Sequence, residues 1–357
     1  MFCGQRRVGK TSIARILQQK LQQIEGYITI FIEIGALNTL TPDKFVNSLG
    51  DAILREIAAQ DFSDKASSIV FDGSLAPLTP YMKTLHKFRP DIRFVMIFDE
   101  FDDVPSELYR YTPIANTFFQ NLRSLSSEGY IGFVLVGGEN MLLIQQSTDK
   151  LNKFDTVRVD YIDKGRYWND FQDLVRRPTT GHLEYSDDAV QSLYEFTEGN
   201  PYYTNLICRQ VYAHACEDRN SYITQEEVES AAVESLDALQ ANNVNHFWKD
   251  GIRVEDPAQR DEIETQRRKF LLGFADARRR SRTVVTRQEL NATDVLKSEP
   301  AVGELIDSFA GRGVLIEENG GFRLKPRYFE RWLVDHGSQL ITSSSIDERA
   351  IPLCQYR

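Results

Sequence analysis

The chemistry of this chain starts in its first eleven residues. Gly4-Gln5-Arg6-Arg7-Val8-Gly9-Lys10-Thr11 has the spacing G-x-x-x-x-G-K-[ST], a loop that wraps nucleotide phosphates. Gly4 and Gly9 let the backbone turn so that the amides of Arg7, Val8, Gly9 and the residues after them face phosphate oxygens. Lys10 supplies positive charge for the β- and γ-phosphates, and the Thr11 hydroxyl is a ligand for Mg²⁺. A helix opening at Lys10, Thr11 and Ser12 would direct its positive dipole end at the same anion. The bland alternative is a solvated Gly/Arg turn ahead of an ordinary helix.

A second group of acids matches the first. Arg93 to Phe98 is an apolar run that ends in Asp99-Glu100-Phe101-Asp102, the form of a Walker B strand. In open α/β sheets ligands sit beyond the carboxyl ends of the strands, which sets Asp99 and Glu100 toward Lys10 and Thr11. Asp99 then serves the metal, and Glu100 is the candidate base for an attacking water. Asp102 and Asp103 are expected to cap the next segment or to lie in solvent. Glu139 and Asn140 follow the strand at Tyr130–Val136, a place where resemblance to additional-strand ATPases implies a polar sensor of the γ-phosphate; the alternative is a strand-to-helix turn with Asn140 as a helix cap.

These groups need a scaffold of alternating strands and helices. Ile13, Ile16, Leu17, Leu21 and Ile24 recur at three- and four-residue spacing and predict a helix, closed by Gly26. Strands are predicted at Tyr27–Ile34, Arg93–Phe98, Tyr130–Val136 and Asp155–Asp160, with helices at Thr41–Ala59, Tyr81–Phe88 and Ile114–Leu125 between them. The alternation predicts an α/β fold: a parallel sheet with helices on both faces. Only Met1, Phe2 and Cys3 precede the glycine loop, fewer than the usual ~5 residues of a strand, so the first strand reads as truncated. The chain is expected to be a fragment or to start at an internal methionine.

From Tyr167 to Leu239 the pattern becomes helical. Thr197-Glu198-Gly199-Asn200-Pro201 joins two helices, and local capping accounts for it completely. Asn242 to Asp261 reads as a polar linker. Three helices follow, with a capping box at Thr286 and Glu289, then two strands joined through Asn319-Gly320. That order predicts a winged helix. The expected domains are therefore a core at 1–163, a helical lid at 164–241, a linker at 242–262, a winged helix at 263–337 and a tail at 338–357.

The 357 residues carry a net charge of −10, with no global attraction to nucleic acid or anionic membrane. No apolar stretch reaches membrane-spanning length. The four cysteines lack metal spacing and point to a reducing cytoplasm, with Cys208 and Cys216 expected in helix packing. The five histidines form no metal-binding group.

Taken with Gly4–Ser12 and Phe94–Asp102, the segments Gly199–Leu206, Asn245–Trp248 and Gly311–Leu333 give nearly the whole chain a resemblance to STAND-class P-loop ATPases. Within that class it resembles the archaeal/bacterial ATPase group related to AAA+ and origin-recognition ATPases. The resemblance implies ATP and Mg²⁺ as cofactors, Pro201 as an adenine contact, and a lid and winged helix that sense nucleotide. It also implies a homo-oligomer or an attached effector as partner. Arg176, Arg177 and His336 are candidates for the basic residue such an arm supplies, and no arginine finger is evident. Three functions compete: a slowly hydrolysing signal switch, a DNA-associated ATPase gripping duplex through the winged helix, and a nucleotide-binding scaffold. Acids at Glu299, Glu304 and Asp307, on the third helix of the expected winged helix (Ala301–Ala310) and its entry, with only Arg312 at its exit, oppose phosphate contact there. The Arg278, Arg279, Arg280, Arg282 and Arg287 run reads as a solvated loop, or as a contact for nucleic acid or an acidic partner.

Overall fold

The computed structural model describes residues 1–37, 41–62, 69–109, 112–252, 254, 256–281, 284–296 and 302–342. It divides into two compact units, Met1–Val159 and Asp160–Arg357.

In the first unit the elements run β1 (Phe2–Cys3), α1 (Lys10–Gln22), β2 (Tyr27–Glu33), α2 (Pro42–Ile57), α3 (Leu78–Phe88), β3 (Arg93–Asp99), α4 (Pro113–Leu125), β4 (Ile131–Gly137), α5 (Met141–Ser147) and β5 (Val157–Arg158). The strands form one parallel sheet in the order β2-β3-β4-β1-β5. β1 has only two residues, yet it is paired on both sides, Cys3 opposite Gly137 and opposite Arg158. β4 stands between β1 and β3, so the glycine loop and the acidic turn leave the sheet from strands one place apart. Thr41 and Thr112 cap α2 and α4, each followed by a proline whose missing N–H costs nothing in a first turn.

Alternation along the strands sends Ile30, Ile32, Phe94, Met96, Phe98 and Leu135 to one face, where α2, α3 and α4 bury them. The opposite face carries α1 through a thin contact of Ala14 on Ile97 and Val136, with the Arg15 guanidinium over the Phe31 ring. Helices thus lie on both faces, as the alternation predicts. The helix predicted after the loop is present as α1, with Ile13 and Ile16 exposed and Ala14 as its buried residue. A small side chain lets the helix approach the sheet closely, and the flanking isoleucines are carried outward.

The second unit contains α6 (Lys164–Arg176), β6 (Glu184–Tyr185), α7 (Asp187–Thr197), α8 (Pro201–Asp218), β7 (Tyr222–Ile223), α9 (Gln225–Asp237), α10 (Ala241–Val244), α11 (His246–Lys249), α12 (Pro257–Arg280), α13 (Arg287–Ala292), α14 (Val302–Gly311), β8 (Leu315–Glu318), β9 (Gly321–Leu324), α15 (Arg327–His336) and α16 (Gln339–Thr342). α12, α13 and α14 followed by the antiparallel β8–β9 hairpin have the winged-helix order. One core joins them to helices α6 to α9.

The segment expected to be a polar linker is built into that core. His246, Phe247 and Trp248 are buried, and Phe247 stacks on Phe329 with centroids 3.8 Å apart. Arg267 donates to the carbonyls of Trp248 and Asp250, and Arg312 donates to those of Phe247 and His246. Buried carbonyls require such partners, and here the donors lie outside the Asn242–Asp261 segment. Cys208 is half-buried and Cys216 exposed, so only Cys208 has a packing role, while Cys354 lies outside the described residues.

Candidate active site

The glycine loop leaves β1 at Gly4, where an added Cβ would lie 2.1 Å from the Val159 carbonyl oxygen. No larger residue fits. Arg7 and Gly9 have φ of 68° and 89°, the left-handed region, and they turn the loop into α1. Val8 is buried beneath the turn. The Lys10 ammonium donates to the Gly4 and Gln5 carbonyls at 3.0 and 2.6 Å, so the lysine arches back over its own loop.

The acidic turn forms where β3 ends. Asp99 is buried, opposite Glu33 in the β2 register, and its Oδ1 accepts the Glu100 N–H at 3.0 Å. Glu100 has a φ of 52°, a conformation uncommon for a residue with a side chain. Its Oε2 and the Asp103 Oδ2 converge on Gly35, 2.7 and 3.2 Å from where a Cβ would be. Burial raises the Glu100 carboxyl above the usual carboxylate range, aided by Asp103, Glu33 and Asp99 and opposed by Arg6. The Asp103 carboxyl is raised by burial and by Asp102, again opposed by Arg6.

Lys10, Thr11, Asp99 and Glu100 line one cavity of about 340 Å³, together with Arg6, Arg7 and the glycines ending β4. Loop and acidic turn therefore share a site. Ser12 is exposed on the first turn of α1. Asn140 precedes α5, and its side chain makes no cap; Oδ1 is buried with no hydrogen-bond partner. The helix-cap alternative for Asn140 fails on that geometry.

Asp102 departs from expectation, whereas Asp103 is exposed, as expected. Asp102 accepts the Gly138 N–H at 2.7 Å, across from the end of β4, and Asp103 shares the Gly35 niche with Glu100. Arg6, Gly35 and Asp102 are the site residues that sequence reasoning left without a role. The Asp-Asp pair after Phe101 and the Gly-Gly pair after Val136 were the available signal, but nothing local says that they meet.

Pro201 belongs to the second unit and opens α8. Asn200 Oδ1 accepts the Tyr202 and Tyr203 amides, and Gly199, at φ 80°, lies against the Ile162 carbonyl. Glu198 precedes this turn and forms an ion pair with Arg323 on β9 at 2.6 Å. Arg176 donates to Tyr185 O and Asp187, and His336 contacts Asp237 at 3.0 Å; Arg177 starts a short 3₁₀ turn. Of the arginine run, Arg278, Arg279 and Arg280 end α12 rather than forming a loop, and Arg287 opens α13. Arg278 pairs with Glu330, Arg279 donates to the Val334 carbonyl and Arg280 pairs with Asp276. Arg282 and Glu299 lie outside the described residues; Glu304 and Asp307 are exposed on α14.

No family model matches this chain, and no curated protein matches it. Solved structures do. The ORC2 protein of Aeropyrum pernix, in ADPNP–ADP complexes, is similar with a TM-score of 0.63 at 12% identity, over 96% of this chain and 87% of that one. The Walker-type ATPase of Pyrococcus abyssi is similar with a TM-score of 0.59 at 13% identity, over 93% and 89%. At such identities the likeness is one of fold, and that fold is the P-loop ATPase fold. Among the described residues no helix is long and apolar enough to cross a membrane.

Proposed function

We propose that this chain binds ATP with Mg²⁺ and hydrolyses it slowly, as a switch of the STAND type. One observation carries the proposal: the Lys10–Thr11 loop and the Asp99–Glu100 turn line a single cavity. The donor set suits the ligand. The loop brings backbone amides, Lys10 and the N-terminus of α1 for phosphate, with hard oxygen ligands for the metal in Thr11 and Asp99. When bound, Mg²⁺ neutralises charge on the phosphate oxygens.

Lys10 exchanges its hold on the Gly4 and Gln5 carbonyls for the β- and γ-phosphates. Gly4, Arg7, Val8, Gly9 and Ser12 shape the cradle around it. Glu100 accepts a proton from the water that attacks the γ-phosphorus, ADP leaves, and phosphate is released. Asn140, whose buried Oδ1 lacks a partner, has the chemistry of a γ-phosphate sensor through its amide. Pro201 contacts the adenine, and the lid and winged helix move with nucleotide state to control self-assembly or an effector.

The DNA-associated reading has less support from the second unit. The described arginines at the end of α12 are engaged within the chain, Arg312 is spent on two carbonyls, and α14 presents Glu304 and Asp307. Phosphate release by wild type and by Glu100→Gln tests the proposal. Turnover that Glu100→Gln abolishes with ATP binding intact supports it, and absent wild-type turnover refutes it. A mobility shift with duplex DNA that weakens steeply with salt would favour the DNA reading.

A further inference from the structure

Besides Asp103, the chemistry above leaves one further acid of the turn unused, Asp102. It sits in the 3₁₀ turn Phe101–Asp103, directly after the left-handed Glu100. Its Oδ1 accepts the Gly138 N–H at 2.7 Å, a short bond of the charge-assisted kind. The two glycines that end β4 are what admit it. A Cβ on Gly137 would lie 2.6 Å from Asp102 Oδ1, and one on Gly138 would lie 2.7 Å from Oδ2. No side chain larger than hydrogen fits at either position without displacing the carboxylate.

What this bond fastens is specific. Gly137 pairs with Cys3, the residue before the glycine loop. Two residues beyond Gly138 stands Asn140, whose carbonyl accepts the Leu143 and Ile144 amides that start α5. One hydrogen bond therefore ties the turn carrying Asp99 and Glu100 to the strand end that supports both the glycine loop and Asn140.

We propose that Asp102 is a positioning residue for hydrolysis, holding the Gly138–Asn140 segment in register with the Asp99–Glu100 turn. The proposal rests on the ATPase reading above. Displacement of a reacting group by about 1 Å costs roughly 100-fold in rate, and loss of this tether frees the segment that carries Asn140. ATP affinity depends on the Lys10 loop, which keeps its own contacts to Gly4 and Gln5.

The test compares wild type, Asp102→Ala and Asp102→Asn in full-length protein. Steady-state hydrolysis is read together with hydrogen exchange over residues 137–143. Asp102→Ala lowers kcat roughly 100-fold with KM for ATP little changed, and it speeds exchange of the Gly138 amide. Asp102→Asn keeps an acceptor oxygen and restores both. Equal kcat for Asp102→Ala and wild type overturns the proposal, as does an Asp102→Asn that folds like wild type yet is as slow as alanine. A wild type that hydrolyses no ATP overturns the ATPase reading and this proposal together. An active wild type with an equally active Asp102→Ala overturns this proposal alone.

Discussion

Removal of the Arg323 side chain tests how the winged unit is fastened to the turn ahead of Pro201. Arg323 Nη1 lies 2.6 Å from Glu198 Oε1, and the two side chains are only 16% and 14% exposed. Glu198 Oε2 is buried with no hydrogen-bond partner, and burial raises this carboxyl against the attraction of Arg323, Lys325 and Arg327. Breaking a buried pair from one side costs about 3–5 kcal/mol, because the survivor is an uncompensated charge. Lys325 and Arg327 remain near Glu198, and the second partner of Arg323, Glu318, is 42% exposed and can resolvate. The expected loss for Arg323→Met is therefore at the low end, about 3 kcal/mol. For a unit of this size that lowers the unfolding midpoint by about 6–12 °C. The three tryptophans, Trp168, Trp248 and Trp332, all belong to the second unit, so tryptophan fluorescence follows its unfolding alone. Glu198→Gln combined with Arg323→Met removes both charges and recovers most of the loss. A cost under about 0.5 kcal/mol for Arg323→Met, in the range of exposed pairs, would refute the reasoning.

Two further outcomes follow from the geometry. In the proposed mechanism Glu100 acts as a base only when ionised, and burial raises its carboxyl, so kcat should fall with decreasing pH along a limb above the ordinary glutamate value of about 4.3. Arg6 favours the ionised form, so Arg6→Ala moves that limb to higher pH; a stopped pH–rate series showing no movement would contradict the assignment. Gly199→Ala places a methyl 2.1 Å from the Ile162 carbonyl at a φ of 80°, and is expected to cost about 2 kcal/mol or more in a denaturant melt of the second unit.

The readable parts of this chain are those whose signal is local. Gly4, Gly9 and Lys10 state a loop by spacing, and the apolar run before Asp99 states a strand that ends in acids. Sheet order was not readable, because β4 and β1 become neighbours through a crossover that no short window contains. Periodicity located α1 but not its contact surface, which is set by the small Ala14 while Ile13 and Ile16 are exposed. Composition misread Asn242 to Asp261, where polar residues surround Phe247 and Trp248 and the pairing arginines, Arg267 on α12 and Arg312 just beyond α14, lie outside the segment. Asp102 looked like one more solvated acid because its partner is a backbone amide 36 residues away.

The site itself is tested most directly by calorimetric titration of ATP with Mg²⁺ into wild type and Lys10→Ala. One charge-assisted phosphate contact is worth about 1.5–3 kcal/mol, so wild type should bind one ATP and Lys10→Ala should bind roughly tenfold to a hundredfold more weakly, or not measurably. Equal affinities, or no binding to either protein, would contradict a triphosphate held between the glycine loop and the acids that end β3.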